Sequence, residues 1–366
     1  MLDFEIDPDI ARAHTPPACF YTDPALFQRL KDRAFARSWQ LAADADVVKA
    51  PGNCFPCALL EGALDEPILF TRDHDDRLHC LANVCTHRGN LVCEGPGTET
   101  SLRCRYHGRR FELSGQFRHM PEFEGVEGFP APADDLPRVP FAVWERFLFA
   151  SRDPLAPLAQ VLAPMTDRIG WMPVRQFQHD PSRDREYVVR ANWALYVDNY
   201  LEGFHIPYIH ASLNDQLDYD NYVVELLPHG VLQLGTADDG ADAFHLPPTS
   251  PDAGRRIGAY YYWFFPNLML NFYPWGLSIN IVRPMAVDLT RVSFITYVWK
   301  PERLDRGAGS GLDRVEREDE AVVEATHRGL KSGFYTRGRY SAKREAGPHH
   351  FHRLAVETMR TSSSRP

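Results

Sequence analysis

The stretch NVCTHRGNLVCEGPGTETSLRCRYHGRRF, residues 83–111, packs three cysteines and two histidines into 29 positions. Cys85 and His87 make a C-x-H arm, Cys104 and His107 make a C-x2-H arm, and 16 residues separate the two. Thiols and imidazoles at such spacing are candidate metal ligands, and a shared site would force both arms to one place. A chain that carries them must fold so that two loops meet. Each histidine is followed by a turn containing glycine, HRG in one arm and HGR in the other. A zinc finger groups its ligands by type, two cysteines on one arm and two histidines on the other. Here each arm is mixed.

The residues leave three readings open: structural side chains without a metal, a Cys2His2 zinc site, or a [2Fe–2S] cluster with two thiolates on one iron and two imidazoles on the other. Mixed arms suit the last, because each loop then supplies one ligand to each iron. The segment resembles the Rieske family, oxygenase type, since CTHRG and CRYHG match C-x-H-R-G and C-x-Y-H-G. The resemblance implies Cys85, His87, Cys104 and His107 as cluster ligands. The respiratory type adds two cysteines that cross-link its loops, at positions held here by Asn90 and Tyr106. Arg105 and Arg109 stand where the family commonly has proline and tryptophan. Their positive charge is expected to favour the reduced cluster and to suit docking of an acidic electron donor. Cys54 and Cys57 form CFPC but lack a following helix to lower a thiol pKa, so they read as strand cysteines. Cys80 and Cys93 read the same way.

At 366 residues the chain is long enough for two domains, or for one domain with an insertion. A net charge of −9 argues against nucleic acid as a main partner. No run of 18 apolar residues is present to span a membrane. The N-terminal stretch lacks a signal-peptide pattern, and seven cysteines, an odd number, are expected as reduced thiols in the cytoplasm. Residues 24–42 carry apolar residues at helical spacing behind a capping Asp23. Short β-type runs then extend to about residue 150. Helical texture returns at PLAPLAQVLAP, REYVVRAN reads as a strand, and NWALYVDNYLEGFH reads as one helix. Long strands are expected between 222 and 299 and helices at 312–334 and 342–362, with RGAGSGLDR as a loop.

A Rieske cluster moves single electrons and catalyses nothing alone, so the rest of the chain must receive them. His205 and His210, five apart, would point about 140° apart on a regular helix. Pro207 is expected to kink that helix and bring both rings to one side. The segment N-W…D-N-x-x-E-x-x-H-x4-H is similar to the mononuclear iron motif of Rieske oxygenase catalytic subunits. The resemblance implies a 2-His-1-carboxylate triad of His205, His210 and Asp319, with Glu318 as the alternative acid. It also implies Glu202 as the acid bridging the two metal centres, on the same helical face as His205, and Asn199 beside it. The tail GPHHFH, with His349, His350 and His352, reads as no further metal site.

The implied fold is α+β: an all-β Rieske [2Fe–2S] domain inserted in a helix-grip catalytic domain with a large antiparallel sheet. The expected divisions are 1–42, 43–152 and 153–366. The implied function is an oxygenase terminal component using O2, with NAD(P)H electrons from a separate reductase or ferredoxin, because no nicotinamide- or flavin-binding glycine fingerprint stands in this chain. A homotrimer is implied, each cluster feeding the iron of a neighbour. The alternative from another class is a Rieske electron carrier, which needs no second site. HASLNDQLDYDNYVVEL and GPHHFHRL resemble the choline monooxygenase branch, so the favoured reaction is hydroxylation or oxidative N-demethylation of a quaternary ammonium compound. Oxygenation of an aromatic compound is the alternative. The aromatic-rich stretch 259–275 is expected to send about half its rings into one cavity, and Arg283 is a candidate for a substrate carboxylate.

Overall fold

The computed structural model describes residues 4–210, 222–238, 240–307 and 312–360. The chain forms two compact units: Ala36–Leu158 is one, and Met1–Phe35 with Ala159–Pro366 is the other. The all-β unit thus interrupts the other in sequence.

The β unit is wider than the 43–152 read from texture, because the first helix stops early. Asp23 caps it as expected, accepting from Ala25 N, but it spans only Pro24–Arg33. Residues Gln40–Asp44 are instead a strand that pairs with Phe147–Ala150, which in turn pairs with Phe141–Trp144. The last two are one hairpin, turned at Glu145 with a φ of 54°. A second sheet runs Leu78–Ala82, Glu66–Arg72, Asn53–Leu59, Gly97–Thr98. The third joins Leu102–Arg103, Arg110–Phe111 and Phe117–His119. These short sheets place both cysteine-histidine arms on loops: one follows Leu78–Ala82, and the other is the tip of the hairpin 102–111.

The other unit is built on an antiparallel sheet of eight strands. Its order is Gln178–His179, Leu289–Val298, Gly276–Ala286, Leu268–Tyr273, Ile257–Phe264, Gly230–Thr236, Val223–Leu227, with Arg185–Val189 also on Leu289–Val298. Near-continuous apolar and aromatic residues leave the four central strands, from Gly230–Thr236 to Gly276–Ala286, buried on both faces. A helix, Trp193–Tyr200, packs against strand Gly276–Ala286 and against the long helix Leu312–Leu330. Asn192 starts it, its Oδ1 accepting from Ala194 N while its Nδ2 holds Val287 O. The C-terminal helix Ala346–Arg360 closes over this helix and the sheet through Phe351, edge-on to Trp193 and Trp263.

Helix Leu158–Ile169 is tied to the sheet by one cation. Arg168 bonds Glu225 at 2.6 and 3.0 Å and Asp252 at 2.7 Å twice, and Tyr260 OH donates to Asp252. Asp252 is 1% exposed. Burial pushes its carboxyl up, but the hydrogen bonds and charge of Arg168 outweigh that and hold it below the usual value. Arg255, exposed, also reaches Asp252 at 3.1 Å, so removing Arg168 leaves that buried charge only weakly paired, and Arg168→Leu is expected to lower stability by about 2–3 kcal/mol near neutral pH. A depressed folded pKa stabilises above the unfolded value and is lost as pH falls. The gap between the two proteins should therefore narrow below about pH 4, the unfolded range for aspartate. Urea midpoints measured across pH check both points.

Candidate metal centres

The two arms of the β unit share one construction. Gly89 N bonds back to Cys85 O at 2.9 Å, and Gly108 N bonds back to Cys104 O at 3.0 Å. Both glycines sit in the left-handed region, φ 73° and 76°, where a side chain strains the backbone. Each turn folds its histidine back beside its cysteine. Cys85 and Cys104 are buried with Leu69, Leu81, Leu102 and Phe111, while His107 is exposed and His87 partly so. The two imidazole centroids lie 4.8 Å apart. Paired thiols inside and paired imidazoles outside fit a two-iron cluster whose inner iron takes sulfur and outer iron takes nitrogen. Asn90 Nδ2 reaches Cys104 Sγ at 3.7 Å, a non-covalent contact between the loops. None of the seven cysteines is in a disulfide, and burial pushes the Cys54 and Cys57 thiols up to about 12, which makes CFPC unreactive.

Arg105 is exposed, as a docking residue would be, but Arg109 is only 1% exposed and cannot meet a partner protein. That part of the docking expectation is corrected.

The second site is assembled differently from the expected kinked helix. Helix Trp193–Tyr200 ends before Glu202, and a separate short helix, Ile206–Ile209, begins after His205. Pro207 sits in the first turn of the new helix, where its missing N–H is harmless, so it starts a helix instead of kinking one. Glu202 consequently shares no helical face with His205. It caps the break: Oε2 accepts from the backbone N–H groups of Phe204 and His205, and Oε1 lies 2.7 Å from His205 Nδ1.

The break delivers both rings to the late acid. His205 and His210 have centroids 5.1 Å apart. Asp319 Oδ1 lies 3.0 Å from His210 Nε2 and 3.5 Å from His205 Nε2. One ligand atom from each of the three lies within 4.8 Å of the others, a set that can hold a metal ion. Glu318 does something else. Its Oε2 contacts the other nitrogen, His210 Nδ1, at 2.7 Å, and thereby fixes the ring. Burial works against protonation of His210, but the bonds to Asp319 and Glu318 outweigh it and raise its pKa. Contact with His210 lowers that of Glu318.

The triad opens on a cavity of about 840 Å³, mouth included, which Asn199 also lines. Its floor is a row across the sheet, Gln233, Tyr261, Asn271 and Ser278, paired in register strand to strand. Tyr196, Tyr200, Tyr222, Tyr273 and Phe294 add aromatic walls. Of the aromatic rings in the stretch 259–275, only Tyr261 and Tyr273 line the cavity. Tyr260, Tyr262 and Phe264 point to the opposite face and pack in the core. Arg283 is also on the wrong side: Ser278 and Asn280 face the cavity, and a step of odd length puts Arg283 opposite, where it donates to Ser293 Oγ. Glu316, one helical turn before Asp319, lines the cavity and accepts Tyr196 OH at 2.8 Å. It was missed in sequence, although the i, i+3 spacing to Asp319 marks a common face. The terminal histidines are each engaged by protein atoms: His349 with Asp7 O, His350 with Leu227 O, and His352 with Tyr21, Tyr340 and Asp198. Most of HASLNDQLDYDNYVVEL, and residues 308–311 of RGAGSGLDR, lie outside the described residues.

If Asp319 and Glu318 divide their work this way, Asp319→Ala should abolish mononuclear metal binding. Glu318→Ala should weaken it about 10–100-fold, the usual cost of losing such a partner. Competitive chelator titration of Fe(II) in both variants measures the difference.

Comparison with known proteins follows the same division. Residues 38–130 match the Rieske [2Fe-2S] domain, and residues 175–361 match the ring hydroxylating alpha subunit (catalytic domain). The chloroplastic choline monooxygenase of Arabidopsis thaliana is 31% identical, over 97% of this chain and 86% of its own length. The carnitine monooxygenase oxygenase subunit of Escherichia coli (strain K12) is 28% identical, over 95% and 94%. Among solved structures, the quaternary ammonium Rieske monooxygenase CntA in complex with L-carnitine superposes with a TM-score of 0.74 at 23% identity, covering 97% of each chain. Naphthalene 1,2-dioxygenase from Rhodococcus sp. gives 0.71 at 18%, covering 94% of each. With a Rieske domain, a ring-hydroxylating catalytic domain and relatives matched along nearly its whole length, the chain belongs to the Rieske non-haem iron oxygenases as a catalytic subunit.

Proposed function

We propose that this oxygenase acts on a small quaternary ammonium compound that carries no carboxylate. The observation that carries the reading is the cavity wall: five tyrosines and a phenylalanine, three acids (Glu202, Glu316, Asp319), and no lysine or arginine among the described lining residues. Aromatic faces attract a trimethylammonium group by about 0.5–2 kcal/mol per contact. Buried carboxylates add attraction for the cation and repel an acid. A carboxylated substrate would need a buried cation that the described wall lacks, now that Arg283 lies elsewhere. An aromatic substrate would find the rings but gain nothing from the negative charge of the wall.

In this reading Cys85, His87, Cys104 and His107 hold the [2Fe–2S] cluster, and His205, His210 and Asp319 hold the mononuclear iron. The chemistry supplied there is O2 activation, with electrons relayed from a separate NAD(P)H-dependent reductase or ferredoxin. One oxygen atom enters a substrate C–H bond and the other leaves as water, with two electrons and two protons consumed. The protein positions. Glu318 and Glu202 orient the two imidazoles, the tyrosine walls seat the ammonium group, and the floor row holds the polar end. When the oxidised carbon bears a hydroxyl, the product is an aldehyde hydrate; when it is an N-methyl, it leaves as formaldehyde. A reducing cytoplasm suits the free thiols, although the plant relatives are chloroplastic.

Product analysis under turnover with a surrogate reductase tests the substrate. Choline should yield betaine aldehyde in proportion to O2 consumed, while carnitine and γ-butyrobetaine react slowly. Turnover of aromatic acids with choline inert would reverse the assignment.

We further propose a homotrimer in which electrons cross between chains at Glu202. The turn that holds Glu202 exposes Phe204 (39%) and Tyr208 (80%), apolar surface that suits a subunit contact. One solved quaternary ammonium Rieske monooxygenase is described as showing inter-subunit electron transfer. Cys85→Ser and His205→Ala chains, inactive separately, should recover activity when co-assembled. Verified mixed trimers that stay inactive would place the transfer within one chain.

A further inference from the structure

Arg109 follows His107 by two residues, where the family commonly has tryptophan, and the structure buries it in the β unit. Its guanidinium carbon lies 4.9, 5.5 and 5.6 Å from the ring centroids of Phe117, Phe129 and Phe111. Its Nη2 donates to Asp134 Oδ1 at 2.6 Å and to Asp134 O at 3.0 Å. That same carbonyl accepts Thr86 Oγ1 at 2.8 Å, and Thr86 stands between Cys85 and His87. Asp134 therefore clasps both cysteine-histidine loops, one through a hydroxyl and one through a buried cation. The contact does without a bond what a loop cross-link does in the respiratory type.

The charges of this pair do not cancel. The Arg109 side chain is 2% exposed, whereas that of Asp134 is 21% exposed and spends its second oxygen on Ala131 N. Water screens the carboxylate in part and barely reaches the guanidinium. Arg109 Nε, moreover, is buried with no hydrogen-bond acceptor, so on that side the charge meets only ring faces. The Arg109 carbonyl accepts Cys104 N at 2.9 Å, which holds the cation beside the loop.

We propose that Arg109 sets the redox poise of the cluster, as a positioning residue whose buried positive charge stabilises the reduced form while its bond to Asp134 holds the two ligand loops together. Adding an electron makes the cluster more negative, so a nearby cation with little screening raises its reduction potential. Arg105, exposed to water, contributes far less. The inference rests on the two arms holding a [2Fe–2S] cluster.

The experiment is spectroelectrochemical titration of the full-length protein at fixed pH and salt, with acid-labile sulfide measured on each sample. Arg109→Met should lower the potential, and Asp134→Asn, which keeps the cation and removes its counter-charge, should raise it. Opposite shifts at full sulfide content support the assignment, because loosened packing alone would not change sign between the two. Potentials unmoved in both variants, or moved the same way, would overturn it. If Arg109→Met fails to retain its cluster, Asp134→Asn decides: a rise supports the proposal and no rise refutes it. Wild-type protein without sulfide would instead overturn the cluster reading itself, and this inference with it.

Discussion

Asp319 brings a negative charge within hydrogen-bond distance of His210 and close to His205, and the catalytic unit is arranged around that meeting. The partners are far apart in sequence, so the contact depends on helix Leu312–Leu330 lying against the helix that precedes the histidines. It depends equally on that helix stopping. A continuous helix through Leu201–His205 would spread the two rings around its axis, whereas the break turns both to one side. Glu202 makes the break stable by accepting the amides it frees. Glu202, Glu318 and Asp319 then contact the two imidazoles, and Glu316 lines the same cavity. Carboxylates gathered this closely and largely shielded from water are costly unless a cation joins them. A divalent metal and a cationic substrate are the two groups that relieve the charge.

The β unit solves a different problem, holding two loops at ligand distance without a disulfide. Backbone bonds that close on Gly89 and Gly108 shape each loop separately. The clasp at Asp134 and the Asn90–Cys104 contact join them. Since Arg109 serves both the clasp and the local charge, loop geometry and electron affinity are linked through one side chain. In a site that must bind and release one electron per cycle, that linkage matters.

The arms were legible because their ligands bunch around glycine turns, a local pattern needing no knowledge of the rest of the chain. The sheet and late helices were legible from long apolar strands and helical spacing. Other features were hidden for physical reasons. The break after Tyr200 is marked only by Gly203, a residue helices also tolerate, so Pro207 drew the reading instead. Strand parity misled at Arg283 and along 259–275, because which face is the cavity depends on register with neighbours. Glu318 and Asp319 differ by one position on a helix, and only the fold shows that one faces the metal position and the other holds His210. Arg109 read as surface charge because the three phenylalanines that bury it lie on different strands and loops.

With both sites filled, the chain would carry three irons in three distinct settings: sulfur-bound and nitrogen-bound members of one pair, and an isolated ion with two imidazoles and a carboxylate. Mössbauer spectroscopy of protein reconstituted with iron-57 and then reduced resolves such settings directly. The account predicts three components of equal area, two belonging to a coupled ferric–ferrous pair with the ferrous member bound by nitrogen, and the third an uncoupled high-spin ferrous ion that His205→Ala removes. A pair with two indistinguishable sulfur-bound irons, or a third component that persists in His205→Ala, would contradict it.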